Sequence, residues 1–98
     1  MEQLKIGRVT ASASIVQEIE ENDDFQIFCM GCVRRHRSGD WGDIPKEQWI
    51  RNNIAARKGG RITSEYLIPE YFNIGYEERI IVATDEEREE TNIMFPDD

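Results

Sequence analysis

The segment 34–43 reads RRHRSGDWGD and holds the only histidine of the chain, His36. Asp40 follows four residues later, Trp41 separates it from Gly42, and Asp43 closes the stretch. Histidine changes charge near neutral pH and a carboxylate orients its ring, so His36, Asp40 and Asp43 form a candidate acid–base set. Nucleophilic catalysis would also need a hydroxyl against His36, and Ser38, Ser64 and Tyr66 are the candidates. The structural alternative is a histidine at a helix end that covers the core and is tied to an aspartate. Asp40 would then accept backbone or guanidinium donors and Trp41 would plug the loop. A loop that only turns has no use for a tryptophan, and the structural alternative is the favoured reading.

Cys29 and Cys32 form a C-x-x-C, and on a helix His36 lies one turn further along the same face. Three soft ligands could begin a zinc site, but a structural zinc takes four, and the chain has no second histidine and no third cysteine. Buried small hydrophobes are the expected role, and no metal is expected. A redox C-x-x-C would want a βαβ context, which is missing. Gly39-x-x-Gly42 is too short for a dinucleotide fingerprint, and there is no P-loop, so no cofactor is expected.

The elements that must position these groups follow from length and pattern. With 98 residues the chain makes one domain with one modest core. No apolar stretch approaches the ~18 residues of a membrane span, and no basic region followed by an apolar run opens the chain. Two cysteines cannot build a secreted disulfide framework, so a reduced cytoplasm is the expected compartment.

Residues 4–9 read as a short strand with Leu4 and Ile6 on one face, weakened by Gly7. A helix follows to Asn22, capped by Ser14 with Gln17 or by Ser12, with Ile15, Val16 and Ile19 as its stripe. The alternation of Val9, Ala11, Ala13 and Ile15 offers a longer strand as the competitor. Asp23 and Asp24 are placed to cap a second helix whose face is Phe25, Phe28, Cys29, Cys32, Val33 and His36, ended by Gly39. A third helix is expected from Pro45 to Lys58, with Trp49, Ile50, Ile54 and Ala56 inward and Asp43 near its start. The remainder reads as strands at 62–68, 79–84 and 91–95. The connection 69–78, with Tyr71, Phe72, Ile74 and Tyr76, is too apolar for a plain hairpin tip. Residues 85–90 read as a solvated turn or a single helical turn. The fold class is therefore α+β, with N-terminal helices packed on one face of a small antiparallel sheet formed mainly by the C-terminal half.

The chain resembles a family of small bacterial proteins described as plasmid-related or mobile-element proteins of unknown function. The residues that carry the resemblance begin with Arg35-His36 and Gly39-Asp40-Trp41-Gly42-Asp43. They continue through Asn52, Gly60-Arg61-Ile62, Ser64, Tyr66, Thr84, Arg88, Thr91 and Phe95-Pro96. This chain departs from the family at Gln48, where an Asp is usual, and at Ile81, where a Trp is common. Glu87 and Asn92 also differ, and the connection 69–78 is longer. A role for a carboxylate at position 48 therefore does not carry over. The set Arg35, Ser38, Trp41, Asn52, Arg61, Ser64, Tyr66 and Arg88 is expected to contribute to binding.

Charge bears on partners. The net charge is −8, but residues 34–61 carry eight basic and three acidic groups, while residues 62–98 carry two basic and eleven acidic. The favoured expectation is a small accessory protein of mobile elements that binds a protein partner without catalysis. Host defence machinery, restriction or CRISPR systems included, is one such partner, since a compact acidic protein can imitate nucleic acid. The first alternative is a small hydrolase or nuclease-like enzyme centred on His36 and Asp40. The second is nucleic-acid binding through the basic segment 34–61, which would be steeply salt-dependent. No membrane association is expected.

Overall fold

The computed structural model of the chain describes residues 3–75 and 77–98. The element order is β1 (Arg8–Ala11), α1 (Ala13–Glu21), α2 (Asp23–Arg37), α3 (Lys46–Lys58), β2 (Ile62–Leu67), a short 3-10 turn (Glu70–Phe72), β3 (Arg79–Thr84) and β4 (Glu90–Met94). The strands form one sheet in the order β1-β4-β3-β2. β2, β3 and β4 are antiparallel neighbours, but β1 runs parallel to β4. The α+β architecture is as the sequence suggests. The sheet is mixed rather than antiparallel, because the helices carry the chain back before β2 begins.

Strand register divides the sheet into two unlike faces. Ile62, Ser64, Tyr66, Ile80, Val82, Thr84, Thr91 and Ile93 share one face and are buried beneath the helices. Phe25, Cys29 and Cys32 of α2 and Ile15 of α1 pack on that face, with Phe95 joining them. A second cluster of Leu4, Trp41 and Ile62 is covered by Trp49, Ala55 and Ala56 of α3. Burying these side chains supplies most of the drive to fold. The opposite face carries Thr63, Glu65, Leu67, Arg79, Ile81, Ala83, Asn92 and Met94, and the helix residues of both core clusters pack on the other side. Among the described residues, no helix is long and apolar enough to cross a membrane.

Local chemistry explains where the elements stop. Gly7 turns the chain at φ 64°, and a side chain there would meet the Glu89 carbonyl oxygen at 2.2 Å. The first strand is therefore Arg8–Ala11 rather than 4–9, and Leu4 goes to the second core cluster. Ser12, not Ser14, caps α1, its Oγ accepting from the Ile15 amide at 3.3 Å. Asn22 rather than Asp23 or Asp24 caps α2, accepting from the amides of Asp24 and Phe25. α3 runs as expected, but its phase differs. Asn52 is buried, while Ile50 and Ile54 are 48% and 43% exposed. The Asn52 amide donates to the Thr63 carbonyl oxygen at 2.9 Å, which fixes which side of α3 faces the sheet. In the 69–78 connection Phe72 packs edge-on to Phe25 at 5.5 Å and Ile74 is buried, while Tyr71 is exposed. Tyr76 lies outside the described residues.

Two glycines behave oppositely under the same substitution. A side chain at Gly42, held at φ 77°, would sit 2.1 Å from the Glu65 carbonyl oxygen and against the Tyr66 ring, whereas Gly31 inside α2 has open space. Gly42→Ala is expected to destabilise by at least about 2 kcal/mol, because the backbone cannot relax without breaking the contact with β2. Gly31→Ala should instead stabilise by roughly 0.5–1 kcal/mol, through helix propensity. Urea melts of the two variants check both signs.

Candidate functional site

The geometry around His36 begins with the end of α2. Phe25, Cys29, Cys32 and His36 fall on the buried stripe of this helix. Gly39, at φ 90°, lets the chain turn sharply after Ser38. The Gly39 amide then donates to the His36 carbonyl oxygen at 3.2 Å and the Asp40 amide to the Arg35 carbonyl oxygen at 2.9 Å. This paired closure satisfies the last carbonyls of the helix. Ser38 adds its hydroxyl, donating to the Arg35 carbonyl oxygen at 2.8 Å.

His36 is fully buried and touches hydroxyls, not carboxylates. Its Nδ1 lies 2.6 Å from Ser64 Oγ and its Nε2 lies 2.8 Å from Thr84 Oγ1. Thr84 Oγ1 is in turn 2.6 Å from Thr91 Oγ1, which donates to the Ile6 carbonyl oxygen at 2.7 Å. The direction of every proton follows from the last acceptor. A carbonyl only accepts, so Thr91 donates to Ile6. Thr91 has one hydroxyl proton, so Thr84 must donate to Thr91. Thr84 is then the acceptor for His36, which places the ring proton on Nε2. Nδ1 is left as an acceptor, and Ser64 donates to it. Burial, with the nearby positive charge of Arg88, lowers the His36 pKa from 6.5 to about 4, so the ring is neutral at pH 7. Trp41 closes the ring off, lying edge-on at 5.6 Å between centroids.

Asp40 and Asp43 are committed elsewhere. The Asp40 carboxylate forks onto Arg35, at 2.7 Å to Nε and 3.3 Å to Nη2, and accepts from the Gly42 amide at 3.1 Å. The hydrogen bond from Arg35 holds this carboxyl below its usual range. The guanidinium of Arg35 also stacks 4.7 Å above the Tyr66 ring, and the Tyr66 hydroxyl donates to the Asp40 carbonyl oxygen at 2.8 Å. Burial pushes the Tyr66 phenol upward, away from any role as a proton donor near neutral pH. Asp43 serves the edge of the sheet. Its amide donates to the Glu65 carbonyl oxygen at 2.7 Å, and its carboxylate accepts from the Leu67 amide at 3.0 Å. With a parallel bridge from Gly42 to Glu65, residues 41–43 cover the outer edge of β2.

The other sequence-derived candidates divide by surroundings. Trp41, Asn52, Ser64 and Tyr66 are buried. Arg61 is exposed in the link to β2. Arg88, in the left-handed region at φ 60°, donates to the carbonyl oxygens of Ala55, Gly60 and Asp85 and so closes the end of α3. Cys29 and Cys32 sit in the main core, where burial raises both thiols to about 12. Among the described residues, no group of three or more His, Cys, Asp or Glu side chains converges as metal ligands would.

Sequence reasoning did not find the threonine pair, nor Asn53, whose Oδ1 accepts from the Trp41 indole at 2.9 Å. A signal was present: Ser64 alternates with Ile62 and Tyr66, and Thr84 ends an apolar run. Hydroxyls at inward strand positions require a polar partner, and the single histidine on an apolar helix face is that partner. As assembled, the cluster is suited to hold the helix layer on the sheet. It offers no solvent path to a reacting atom.

Truncating the plug tests this. Trp41→Ala is expected to destabilise by about 3–5 kcal/mol, while Asp40→Asn, at a half-exposed ion pair, should lose no more than about 1 kcal/mol. Thermal melts measure both, and a Trp41→Ala protein that melts like the parent would place the indole in solvent. His36 adds a pH signature. Its folded pKa is depressed, so the unfolded state takes up the proton first. Stability is full above pH 6.5 and falls as pH drops toward 4, by roughly 3 kcal/mol. A His36→Gln variant should be less stable at pH 7 yet lack this slope in denaturant melts. The chain matches no protein-family model, and comparison with curated proteins and with solved structures finds no significant similarity.

Proposed function

We propose that the chain is a non-catalytic binding protein that docks a protein partner on the helix-free face of its sheet. The observation that carries this reading is the composition of that face. Leu67, 50% exposed, stands with Ile81 and Met94 in a field of Thr63, Asn92 and Thr10. The charges at its rim are already paired within the chain, Arg79 with Glu65 at 3.0 Å and Arg8 with Glu90 at 3.6 Å. A surface neutralised in this way favours a partner of mixed, largely uncharged character over nucleic acid. The resemblance to plasmid and mobile-element proteins points to a host protein, restriction or CRISPR machinery included. Apart from Glu65 and Glu70, the acidic groups of residues 62–98 fall into two sets, in and beside the β3–β4 turn and around Glu77, Asp97 and Asp98. They lie at opposite ends of β3, which gives less support to an imitation of nucleic acid. The hydrolase reading has no geometric support, because Ser64 is the hydroxyl nearest His36 Nδ1 and both are fully buried.

Affinity capture from host lysate tests the proposal, with Ile81→Lys as the control. The parent should retain a specific protein at low and moderate salt, and an Ile81→Lys protein with an unchanged melting temperature should lose it. Capture of nothing above background by the parent, or equal capture by the variant, counts against this face. Turnover of phosphodiester or ester substrates by the parent, abolished in Asp40→Asn, would replace the proposal with an enzyme.

A further inference from the structure

A cavity of about 860 Å³ lies on the helix side of the molecule, between the N-terminal segment and the last turns of α3. Its walls bring together Lys5, Arg57 and Arg88, with Asn53 beside them and Leu4 and Ala56 as apolar surface. No Asp or Glu is among the described residues that line it. In a chain of net charge −8, three cations among the described lining residues depart from the general balance. Arg88 is the group held most firmly. Three of its five N–H donors are spent on the carbonyl oxygens of Ala55, Gly60 and Asp85, which fixes the plane of the guanidinium. Its backbone is held in the left-handed region, which a side chain other than glycine adopts at a cost of about 1–2 kcal/mol. Among the described residues its Nε–H and one Nη2–H meet no acceptor, and a guanidinium held in a fixed plane with spare donors suits a phosphate.

We propose that this cavity binds a phosphate monoester of nucleoside monophosphate size. The two spare donors of Arg88, with Lys5 and Arg57, take the phosphate. Half-buried Ala56 and the edge of Leu4 are the apolar surface open to the organic part, and Asn53 offers an amide for a polar edge. The volume fits this class: ligand cavities of roughly 300–1,000 Å³ hold whole small molecules, whereas a bare anion would fill only a corner. The site lies away from the helix-free sheet face, so it stands or falls independently of the protein-docking proposal.

Amide chemical shifts of the full chain, followed during titration with AMP, adenosine, inorganic phosphate and a single-stranded oligonucleotide, test the assignment. AMP should move the amides of Lys5, Asn53 and Arg57 with a Kd of roughly 0.1–1 mM. Inorganic phosphate should act at the same amides at least about 10-fold more weakly, and adenosine should leave them in place. The double variant Lys5→Gln/Arg57→Gln alters two exposed side chains and leaves the α3 closure by Arg88 intact. It should weaken AMP by at least about 10-fold. The proposal is overturned if AMP moves none of these amides, if adenosine moves them equally, or if the double variant binds AMP as the parent does. Tighter and steeply salt-dependent binding of the oligonucleotide would also overturn it, in favour of a nucleic-acid backbone.

Discussion

One chain of hydrogen bonds fixes how the helix layer sits on the sheet. It runs from Ser64 on β2 through both nitrogens of His36 on α2 to Thr84 on β3, Thr91 on β4 and the Ile6 carbonyl just before β1. Four of the elements and the N-terminal segment meet in it. Apolar packing alone would allow α2 to slide or rotate over a surface of similar side chains. A buried polar chain does not allow this, because a shift strands a donor or acceptor at about 1–3 kcal/mol each. The described residues leave no buried side-chain nitrogen or oxygen without a partner. The chain also has one direction only, set by the Ile6 carbonyl, so the histidine has one tautomer.

The conspicuous loop after α2 follows from the same constraint. Trp41 seals His36 from water, and its indole N–H is satisfied by Asn53. Asp40 and Arg35 lock the turn outside the seal, over the face of Tyr66. Gly42 lets the chain pass within contact of β2, and Asp43 caps the edge that this strand would otherwise present. Residues with the look of an acid–base site thus act together as a latch between α2, α3 and β2. The two proposals for function therefore rest on the outside, on the helix-free sheet face and the cationic cavity.

Sequence pattern carried much of the architecture because local signals and tertiary demands agreed there. The apolar run 79–84 is a central strand, Gly39 ends α2, and the spacing of Phe25, Cys29, Cys32 and His36 gives its buried stripe. It failed where tertiary contacts decide. Isoleucines 50 and 54 face outward because Asn52 and Asn53 make the specific contacts of α3, and hydrophobicity alone ranks them the other way. The first strand shifted because close approach of Gly7 to Glu89 is invisible without the sheet. For the site, the sequence singled out His36, Asp40 and Trp41. It offered Ser64 as one of three hydroxyl candidates for His36 but did not reach Thr84, 48 residues away, and the aspartate next in sequence stood in for it.

The state of the single imidazole is the most direct measure of this account. Nitrogen-15 spectra of the His36 ring at pH 7 should show one neutral tautomer, protonated on Nε2, with slow exchange of that proton. A ring that samples both tautomers, or that is protonated near pH 6.5, would mean that the hydroxyl chain does not seal the histidine, and the structural role assigned to it would fail.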